Sequence, residues 1–414
     1  MRKSLPTQGT DWNTLSEQLD SFSADDVDWR RSRSAVFVFH AGDDVLDVGK
    51  QAYAKYQSEN GLGASSAFPS LARMESDVVD IGLELLNAPE GACGNMTSGG
   101  SESIFLALKS CRDQARALGR DTRNAQIVLP RSGHPAFDKA AGYLDLEVVR
   151  IPVADDWRAD IDATRAAVNE RTLMLVGSAP CFPYGLIDPI EELAELAAEK
   201  NVWLHVDACV GGYFSPFARR NGVELPVFDF SLEPVRSMSA DLHKYGYAAK
   251  GASTIFHRTP EQHEFQFFTC DQWPVGTMRT PSAAGTRPGG AIAAAWAVLH
   301  YLGGDGYCRK ASEVVETRRL IERAVSTLPS VFVIGKPQLG LIAIGSDKLD
   351  IYAVQEQLST RGWFNPLLDE PEAIHLMLSP QHRLVVDDYV TDLKAAVQIV
   401  EQGGLRSSAT ARYN

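Results

Sequence analysis

Apolar residues along this chain follow a helical spacing first and a strand-and-helix alternation afterwards. Between Phe68 and Leu86 they recur every three or four positions, which predicts a buried amphipathic helix. From about residue 96, short apolar runs alternate with helical patterns. Such alternation is typical of an α/β protein with a mostly parallel central sheet that helices cover on both faces.

The predicted elements divide the chain into three parts. Residues 1–60 form an N-terminal helical segment, residues 61–310 a large domain, and residues 311–414 a small C-terminal α+β domain that packs with the N-terminal helices. Strands are predicted at 127–130, 146–151, 173–178, 202–207, 235–239, 252–257, 331–334, 341–345 and 374–378. Helices are predicted at 14–22, 48–57, 68–86, 101–118, 135–144, 161–169, 189–200, from about 306 to 328, 350–361 and 387–402.

Composition narrows the class of protein. The 414 residues carry 40 basic and 53 acidic side chains, and the resulting charge of −13 argues against non-specific binding to nucleic acid. Six cysteines without C-x-x-C spacing, and seven histidines without ligand spacing besides His134 and His243, predict no metal site and no disulfide framework. The polar stretch 1–28 does not resemble a signal peptide, and the longest apolar segment, 291–302, is too short to span a bilayer. We therefore expect a cytoplasmic protein without a membrane anchor.

The stretch from Ser239 to Gly246 carries the strongest chemical signal. It places Lys244 behind His243, between two short apolar segments. A desolvated lysine can lose its proton, and the free amine can then attack a carbonyl. The aldehyde of pyridoxal phosphate, held as a Schiff base, is the obvious carbonyl.

Two segments upstream of this lysine would complete such a site. Gly99-Gly100-Ser101 opens a helix, where backbone N–H groups and the helix dipole attract an anion such as a phosphate; an ordinary N-cap is the alternative. Asp207 ends an apolar strand, and ligands of open α/β sheets bind at the carboxyl ends of strands. Its carboxylate can hold a pyridine nitrogen protonated, although it could also cap the next helix, for which residues 208–212 are a poor start.

Five further features are weaker candidates. His134 follows a strand and can stack on an aromatic cofactor, or be structural. His243 can donate to a phosphate or orient its neighbour. The segment Thr286–Gly290 is either a second anion-binding loop, within reach of a neighbouring subunit's site, or a plain turn. Lys250 can hold a substrate anion or be solvated, and Cys209 is interpreted as pocket lining.

Together these segments resemble the group II decarboxylase class of pyridoxal-phosphate enzymes, and within it the sphingosine-1-phosphate lyases most. The resemblance spans roughly residues 68–310 and keeps the family's order. It implies the aspartate-aminotransferase-like fold (fold type I) and a homodimer with sites at the interface. The segments that carry it are Thr97–Ser103, His134–Ala140, Phe182–Gly185, Ile187–Pro189, His205–Gly212, Ser239–Gly251 and Gly285–Gly290.

The resemblance also implies a role for individual residues. Lys244 would form the Schiff base, Asp207 would pair with the pyridinium nitrogen, and His134 would stack on the ring. The cofactor phosphate would be bound by Gly100, Ser101 and His243, joined by Thr286 of the partner subunit. Lys250 would contact the substrate phosphate.

The implied reaction is the retro-aldol cleavage of a phosphorylated amino alcohol to an aldehyde and phosphoethanolamine. Two segments depart from the lyase pattern, at 63–69 and at 275–279, and Thr286 stands where a serine is usual. An amino-acid decarboxylase therefore remains an alternative, in which Arg279 or Lys250 would orient the substrate. A binding protein that has kept the fold without catalysis is a third hypothesis.

Overall fold

The computed structural model describes residues 2–412, and its helices and strands follow each other along the chain in this order. The helices are α1 (Trp12–Phe22), α2 (Asp43–Lys55), α3 (Pro69–Leu85), α4 (Gly100–Ala117), α5 (Ala136–Leu144), α6 (Ile161–Ala167), α7 (Ile190–Lys200), α8 (Ser215–Arg220), α9 (Pro260–Glu264), α10 (Gly289–Ser326), α11 (Ile351–Ser359) and α12 (Val386–Gly403). The strands are β1 (Cys93–Thr97), β2 (Gln126–Pro130), β3 (Glu147–Ile151), β4 (Thr172–Ser178), β5 (Trp203–Asp207), β6 (Val235–Ala240), β7 (Ser253–His257), β8 (Phe268–Cys270), β9 (Met278–Thr280), β10 (Phe332–Val333), β11 (Leu341–Gly345), β12 (Leu367–Asp369) and β13 (Glu372–Met377).

Seven strands form the central sheet, in the order β1-β7-β6-β5-β4-β2-β3. Strand β7 runs antiparallel to both of its neighbours, and the other four neighbouring pairs are parallel. Every residue of β4 and β5 is buried, as expected of strands that helices cover on both faces. The predicted α/β fold with a mostly parallel sheet is confirmed.

Strand β1 escaped prediction because its sequence, Cys-Gly-Asn-Met-Thr, lacks a strand pattern. It forms by pairing with β7, from Cys93 opposite His257 to Thr97 opposite Ser253. A Cβ at Gly94 would lie 2.3 Å from the carbonyl oxygen of Ile255, so the close approach of the two strands requires a glycine at this position. This pairing brings the end of β1, and with it the start of α4, beside the end of β6.

The C-terminal residues build a second, antiparallel sheet in the order β10-β11-β13-β12. The N-terminal segment joins this layer: Ser34 bridges Phe364, and the Met377 N–H donates to the Ala35 carbonyl oxygen over 2.7 Å. Helix α10 crosses from one layer to the other and is interrupted at Gly303, which has a φ of 54°. The domain bounds given above remain predictions.

Helix α1 has no buried residue. Its apolar side chains Trp12, Leu15, Leu19 and Phe22 recur at helical spacing and are all exposed. Within residues 2–412, no helix has both the length and the apolar character that crossing a bilayer would require.

Candidate active site

A cavity of about 260 Å³ opens at the edge of the central sheet where β4, β5 and β6 end. Three larger grooves, of about 780, 630 and 350 Å³, are also present, but the smaller cavity is the one that gathers the chemically active side chains. Because the carboxyl ends of parallel strands meet at one edge, residues distant in sequence come together here. The cavity is lined by Gly100, Ser101, Ile104, His134, Ser178, Pro180, Phe182, Asp207, Cys209, Val210, Asp241, His243 and Lys244.

Lys244 lies in the turn that follows β6, and Asp241 is its partner. The Lys244 Nζ is 2.9 Å from Asp241 Oδ2, and the aspartate is almost completely buried. Burial alone would lower the pKa of the Lys244 amine, but the adjacent Asp241 carboxylate raises it above its ordinary value. The sequence argument that desolvation frees this amine is therefore incomplete, since the resting lysine is an ammonium paired with a carboxylate. Asp241 is also the nearest group that can accept its proton.

Asp207 ends β5, as the sequence predicts, and faces the cavity from the centre of the sheet. Its Oδ1 accepts hydrogen bonds from the Cys209 N–H, over 3.1 Å, and from the Ser239 hydroxyl, over 3.3 Å. Burial raises the pKa of the Cys209 thiol well above its ordinary value, so that Cys209 is a neutral wall residue. This agrees with its interpretation as pocket lining.

Two histidines approach the cavity from different sides. His134 lies between β2 and α5; its Nδ1 accepts from the Ala136 N–H over 3.1 Å, and burial lowers its pKa, so the neutral ring carries its proton on Nε2. The neutral ring of His243 has the opposite tautomer. Its Nδ1 carries the proton and donates it to the Ala252 carbonyl oxygen over 2.7 Å. Its Nε2 lies 3.7 Å from Asp241 Oδ2. Burial lowers the pKa of His243, and Nε2 can donate to an anion only when the ring is protonated.

The first turn of α4 faces the same cavity. Gly99, at its N-cap, has no side chain to accept from the first N–H groups, and Ser101 places a hydroxyl beside them. A Cβ at Gly100 would lie 2.9 Å from Cys209 Sγ and 3.0 Å from Asp241 Oδ2. The glycine thus lets the helix start lie directly against Cys209 and Asp241 in the cavity wall, and the positive end of the helix dipole suits the cavity beside it to a phosphate.

Three predicted site residues lie outside this cavity. Lys250 Nζ donates to the carbonyl oxygens of Phe37 and His243, over 2.9 and 3.4 Å, which places it behind the His243 backbone. Arg279, on β9, pairs with Glu264 over 2.6 Å and stacks on a phenylalanine ring. Thr286 is exposed and accepts from the Asn60 amide over 3.3 Å. Their predicted roles toward substrate or cofactor remain predictions.

Sequence reasoning missed Asp241, which lies three residues before the lysine. The spacing held a signal, since an aspartate at i and a lysine at i+3 can meet within one turn. The turn after β6 supplies that geometry: the Lys244 N–H donates to the Asp241 carbonyl oxygen over 3.4 Å. In the sequence, however, Asp241 looked like one more polar residue in a loop.

Comparison with known proteins identifies the family. The family model for the pyridoxal-dependent decarboxylase conserved domain matches residues 3–345. The chain belongs to the pyridoxal-dependent decarboxylase family. The sphingosine-1-phosphate lyase of Arabidopsis thaliana is 41% identical over 404 residues, which are 96% of this chain and 74% of the relative.

Solved structures give the same family and fold. The structure of a sphingosine-1-phosphate lyase from Burkholderia pseudomallei superimposes with a TM-score of 0.93 at 35% identity, covering 98% of this chain and 94% of that one. Glutamate decarboxylase of Lactobacillus brevis has a TM-score of 0.84 over 97% of this chain and 96% of its own, but at 21% identity it supports the fold alone. The chain is thus a pyridoxal-phosphate-dependent lyase of this decarboxylase family, as its sequence predicts.

The residues of the cavity fit pyridoxal phosphate. The cavity brings together an amine, a carboxylate, an imidazole and an uncapped helix N-terminus. In pyridoxal phosphate these groups match the aldehyde, the ring nitrogen, the aromatic ring and the phosphate, in that order. Gly100 and Ser101 line the same cavity at the start of α4, where no side chain caps the first N–H groups, so that these groups are available to a phosphate.

Proposed function

We propose that this protein cleaves a phosphorylated amino alcohol of the sphingosine-1-phosphate type into an aldehyde and phosphoethanolamine. The similarity to sphingosine-1-phosphate lyases over nearly the whole chain is the observation that carries the proposal. The cavity supports it, because Lys244, Asp207 and the start of α4 stand around one space. The likeness to a decarboxylase is weaker: the probable L-tyrosine/L-aspartate decarboxylase of Methanothermobacter thermautotrophicus is 32% identical over 78% of this chain, against 41% over 96% for the Arabidopsis lyase.

The proposed roles of the cavity residues follow from their positions. Lys244 tethers the cofactor, Asp207 faces its ring nitrogen, and His134 lies against the ring. The N–H groups of Gly100 and Ser101, with His243, hold the phosphate. When bound, pyridoxal phosphate supplies an electron-accepting ring that takes up the electron pair of the substrate bond that breaks.

Lys244 and Asp241 are the proposed proton carriers. The tethering amine must first lose a proton, and Asp241 Oδ2 lies 2.9 Å away to receive it. In retro-aldol cleavage the Cβ hydroxyl loses a proton, the Cα–Cβ bond breaks, Cβ becomes the aldehyde carbon, and Cα gains a proton. The Lys244 amine, once released by the substrate amine, can take the first proton and return one to Cα. Asp241 stabilises the lysine while it is charged.

The substrate phosphate and the second subunit complete the proposal. Lys250, which at present donates to two backbone carbonyls, would turn toward the substrate phosphate. Thr286 would act from the partner subunit of a homodimer, which its exposed position outside its own cavity supports. The exposed apolar side of α1 also supports an association that covers it. We place the protein in the cytoplasm, as its six unpaired cysteines suit a reducing compartment.

A product assay tests the reaction. Purified protein loaded with pyridoxal phosphate is incubated with a phosphorylated sphingoid base, with the same base lacking phosphate, and with a panel of amino acids. Equal amounts of aldehyde and phosphoethanolamine from the first substrate alone are expected. Carbon dioxide from an amino acid, without aldehyde from any sphingoid base, would favour the decarboxylase over the lyase.

Lys250→Met tests the proposed contact with the substrate phosphate. It should raise KM for the phosphorylated substrate with little change in kcat.

A subunit-mixing experiment tests the partner's contribution. Lys244→Ala removes the tether, and Thr286→Asp places a negative charge where a phosphate is proposed to bind. If Thr286 acts across the interface, a mixed dimer of these two variants has one site with both defects and one site with neither, so activity returns on mixing. If Thr286 acts within its own chain, each site keeps one defect and mixing restores nothing. Light scattering of the unmixed protein checks the dimer itself.

A further inference from the structure

Beneath Asp207, four side chains form a buried line of polar contacts. The Trp203 Nε1–H donates to Ser237 Oγ over 2.7 Å, and Ser237 Oγ lies 2.8 Å from His205 Nδ1. His205 Nε2 lies 3.3 Å from Ser239 Oγ, which lies 3.3 Å from Asp207 Oδ1. Trp203, His205, Ser237 and Ser239 are all at most 1% exposed, so water does not interrupt the line. The line therefore runs from the middle of the sheet to the cavity wall.

The two ends of the line set its direction. An indole N–H can only donate, and a carboxylate can only accept. Ser239 must therefore donate its one proton to Asp207, so that it accepts from His205 Nε2–H. His205 then accepts at Nδ1 from the Ser237 hydroxyl, which in turn accepts from Trp203. Only this arrangement satisfies all four contacts, since the other neutral tautomer of His205 leaves one contact without a donor or forces a hydroxyl to donate twice.

The state of His205 agrees with this assignment. Burial lowers the pKa of His205 to about 4, so the ring is neutral near pH 7 and carries one proton. Its ring also lies edge-on to Phe137, with centroids 5.8 Å apart, which fixes its plane. Hydrogen bonds that point the same way polarise one another, and each strengthens the next. The last of them ends on the carboxylate that faces the cavity.

We propose that His205, Ser239, Ser237 and Trp203 form a one-way hydrogen-bond relay that positions Asp207 and stabilises its charged form. The inference rests on the proposed role of Asp207 toward the cofactor's ring nitrogen. Both donors to Asp207, the Cys209 N–H and the Ser239 hydroxyl, contact Oδ1. No hydrogen bond to Oδ2 is found among residues 2–412, which leaves that oxygen for the ring nitrogen. The four residues touch neither cofactor nor substrate and are positioning residues.

Histidine-selective ¹⁵N NMR of the cofactor-free protein tests the relay directly, with a His205→Gln spectrum to assign the signal. We expect His205 as the Nε2–H tautomer, without titration between pH 5.5 and 8.5. Trp203→Phe should shift the His205 resonances, because Ser237 links the two side chains. An Nδ1–H tautomer, or titration near pH 6.5, would overturn the proposal. This outcome does not depend on which substrate the enzyme takes.

Ser239→Ala tests the consequence for Asp207. Loss of a hydrogen bond to a charged group should lower kcat roughly tenfold with KM nearly unchanged, and should shift the pH at which the bound cofactor's visible absorbance titrates. Ser110→Ala is the matched control, because Ser110 is a buried serine whose hydroxyl has no partner among residues 2–412. An unchanged absorbance titration in Ser239→Ala would contradict the relay. If the protein holds cofactor but cleaves no phosphorylated amino alcohol, the proposed function fails while the tautomer and the titration shift stand.

Discussion

Two helices of this protein begin with a pair of glycines, and the two pairs have different structural roles. Gly99-Gly100 opens α4, and Gly289-Gly290 opens α10. A Cβ at Gly100 would meet the side chains of Cys209 and Asp241, which line the cavity. A Cβ at Gly290 would instead lie 2.8 Å from the Tyr53 carbonyl oxygen, and the Gly289 N–H already donates to Glu59 O over 2.9 Å. The first pair brings the start of α4 to the cavity wall, whereas the second lets α10 pack against the end of α2.

The difference shows how little two glycines at a helix start say by themselves. Both pairs were candidates for anion binding, because both present N–H groups and a helix dipole. The surroundings decide: α4 starts beside Lys244 and Asp207 at the open edge of the sheet, and α10 starts under the N-terminal helices. An ion pair near the second start reinforces the packing, as Arg287 binds Glu75 through two hydrogen bonds of 2.6 and 2.9 Å.

Lys244→Ala should have the largest effect on activity. It should act at the cavity beside the start of α4 and not on the packing of α10 against α2. Without the amine no covalent tether forms, so turnover should be abolished and the visible absorbance of the bound cofactor should disappear. The melting temperature without cofactor should also fall, because the buried Asp241 carboxylate loses its partner. Any rise in the melting temperature on adding pyridoxal phosphate should be smaller than in the parent protein. Absorbance spectra and thermal melts measure both. A variant that keeps the absorbance band would show that another residue is the tether.

Gly100→Ala is the next test, because its added methyl group would press on Cys209 and Asp241 in the cavity wall and displace the start of α4. If about 1–3 kcal/mol of this strain falls on the cofactor site, the dissociation constant of pyridoxal phosphate rises roughly ten- to a hundredfold. Titration of the cofactor-free protein, followed by absorbance, measures this constant. Gly142→Ala is the control, since a Cβ there has nothing within 4 Å. Equal cofactor affinity in Gly100→Ala and Gly142→Ala would show that the start of α4 does not bind the cofactor.

Much of this comparison could be predicted from the sequence. The strand-and-helix alternation places the ends of successive parallel strands at one edge, so Asp207, His134 and Lys244 were expected to meet. The fold follows from apolar spacing because buried parallel strands are nearly continuous apolar runs. Each of these signals is local, which makes it visible in one sequence.

The remaining features depend on contacts between distant segments. Strand β1 exists only because β7 offers it hydrogen bonds. The role of Gly290 depends on Tyr53, more than 200 positions earlier in the chain. The hydroxyls of Ser237 and Ser239 join His205 only once β5 and β6 lie side by side. No local pattern encodes such contacts.

Acid should lower the stability of the folded protein through its buried histidines. Burial lowers the pKa of His205 to about 4, of His257 to about 3 and of His375 to about 4, so each is neutral in the folded state. Between about pH 6.5 and 4 the unfolded chain binds more protons at these groups, and the free energy of unfolding must fall as the pH falls.

Asp188 opposes this trend in the same range. Burial raises its pKa to about 6, so below that pH the folded protein binds the extra proton and gains stability. Three histidines outweigh one aspartate, and we expect a net loss of about 4 kcal/mol from pH 7 to pH 5. Urea unfolding at the two pH values measures it. His257→Gln should make the loss smaller, and a stability that rises on acidification would show that Asp188 dominates.

Gly290→Ala should have the smallest effect. It should change the packing of α10 against α2 and not the cavity beside α4. Its methyl group would press on the ring and carbonyl of Tyr53, at 2.8 Å from each, so α10 must move away from α2. Overpacking of this kind lowers the free energy of unfolding by about 1–2 kcal/mol, while cofactor affinity measured on the folded protein should stay unchanged. Gly142→Ala should instead stabilise the protein by up to about 1 kcal/mol, because alanine is the better helix former at an open position. If Gly290→Ala left stability intact but weakened cofactor binding, the second glycine pair would belong to a site after all, and its partner would have to be sought across a subunit interface.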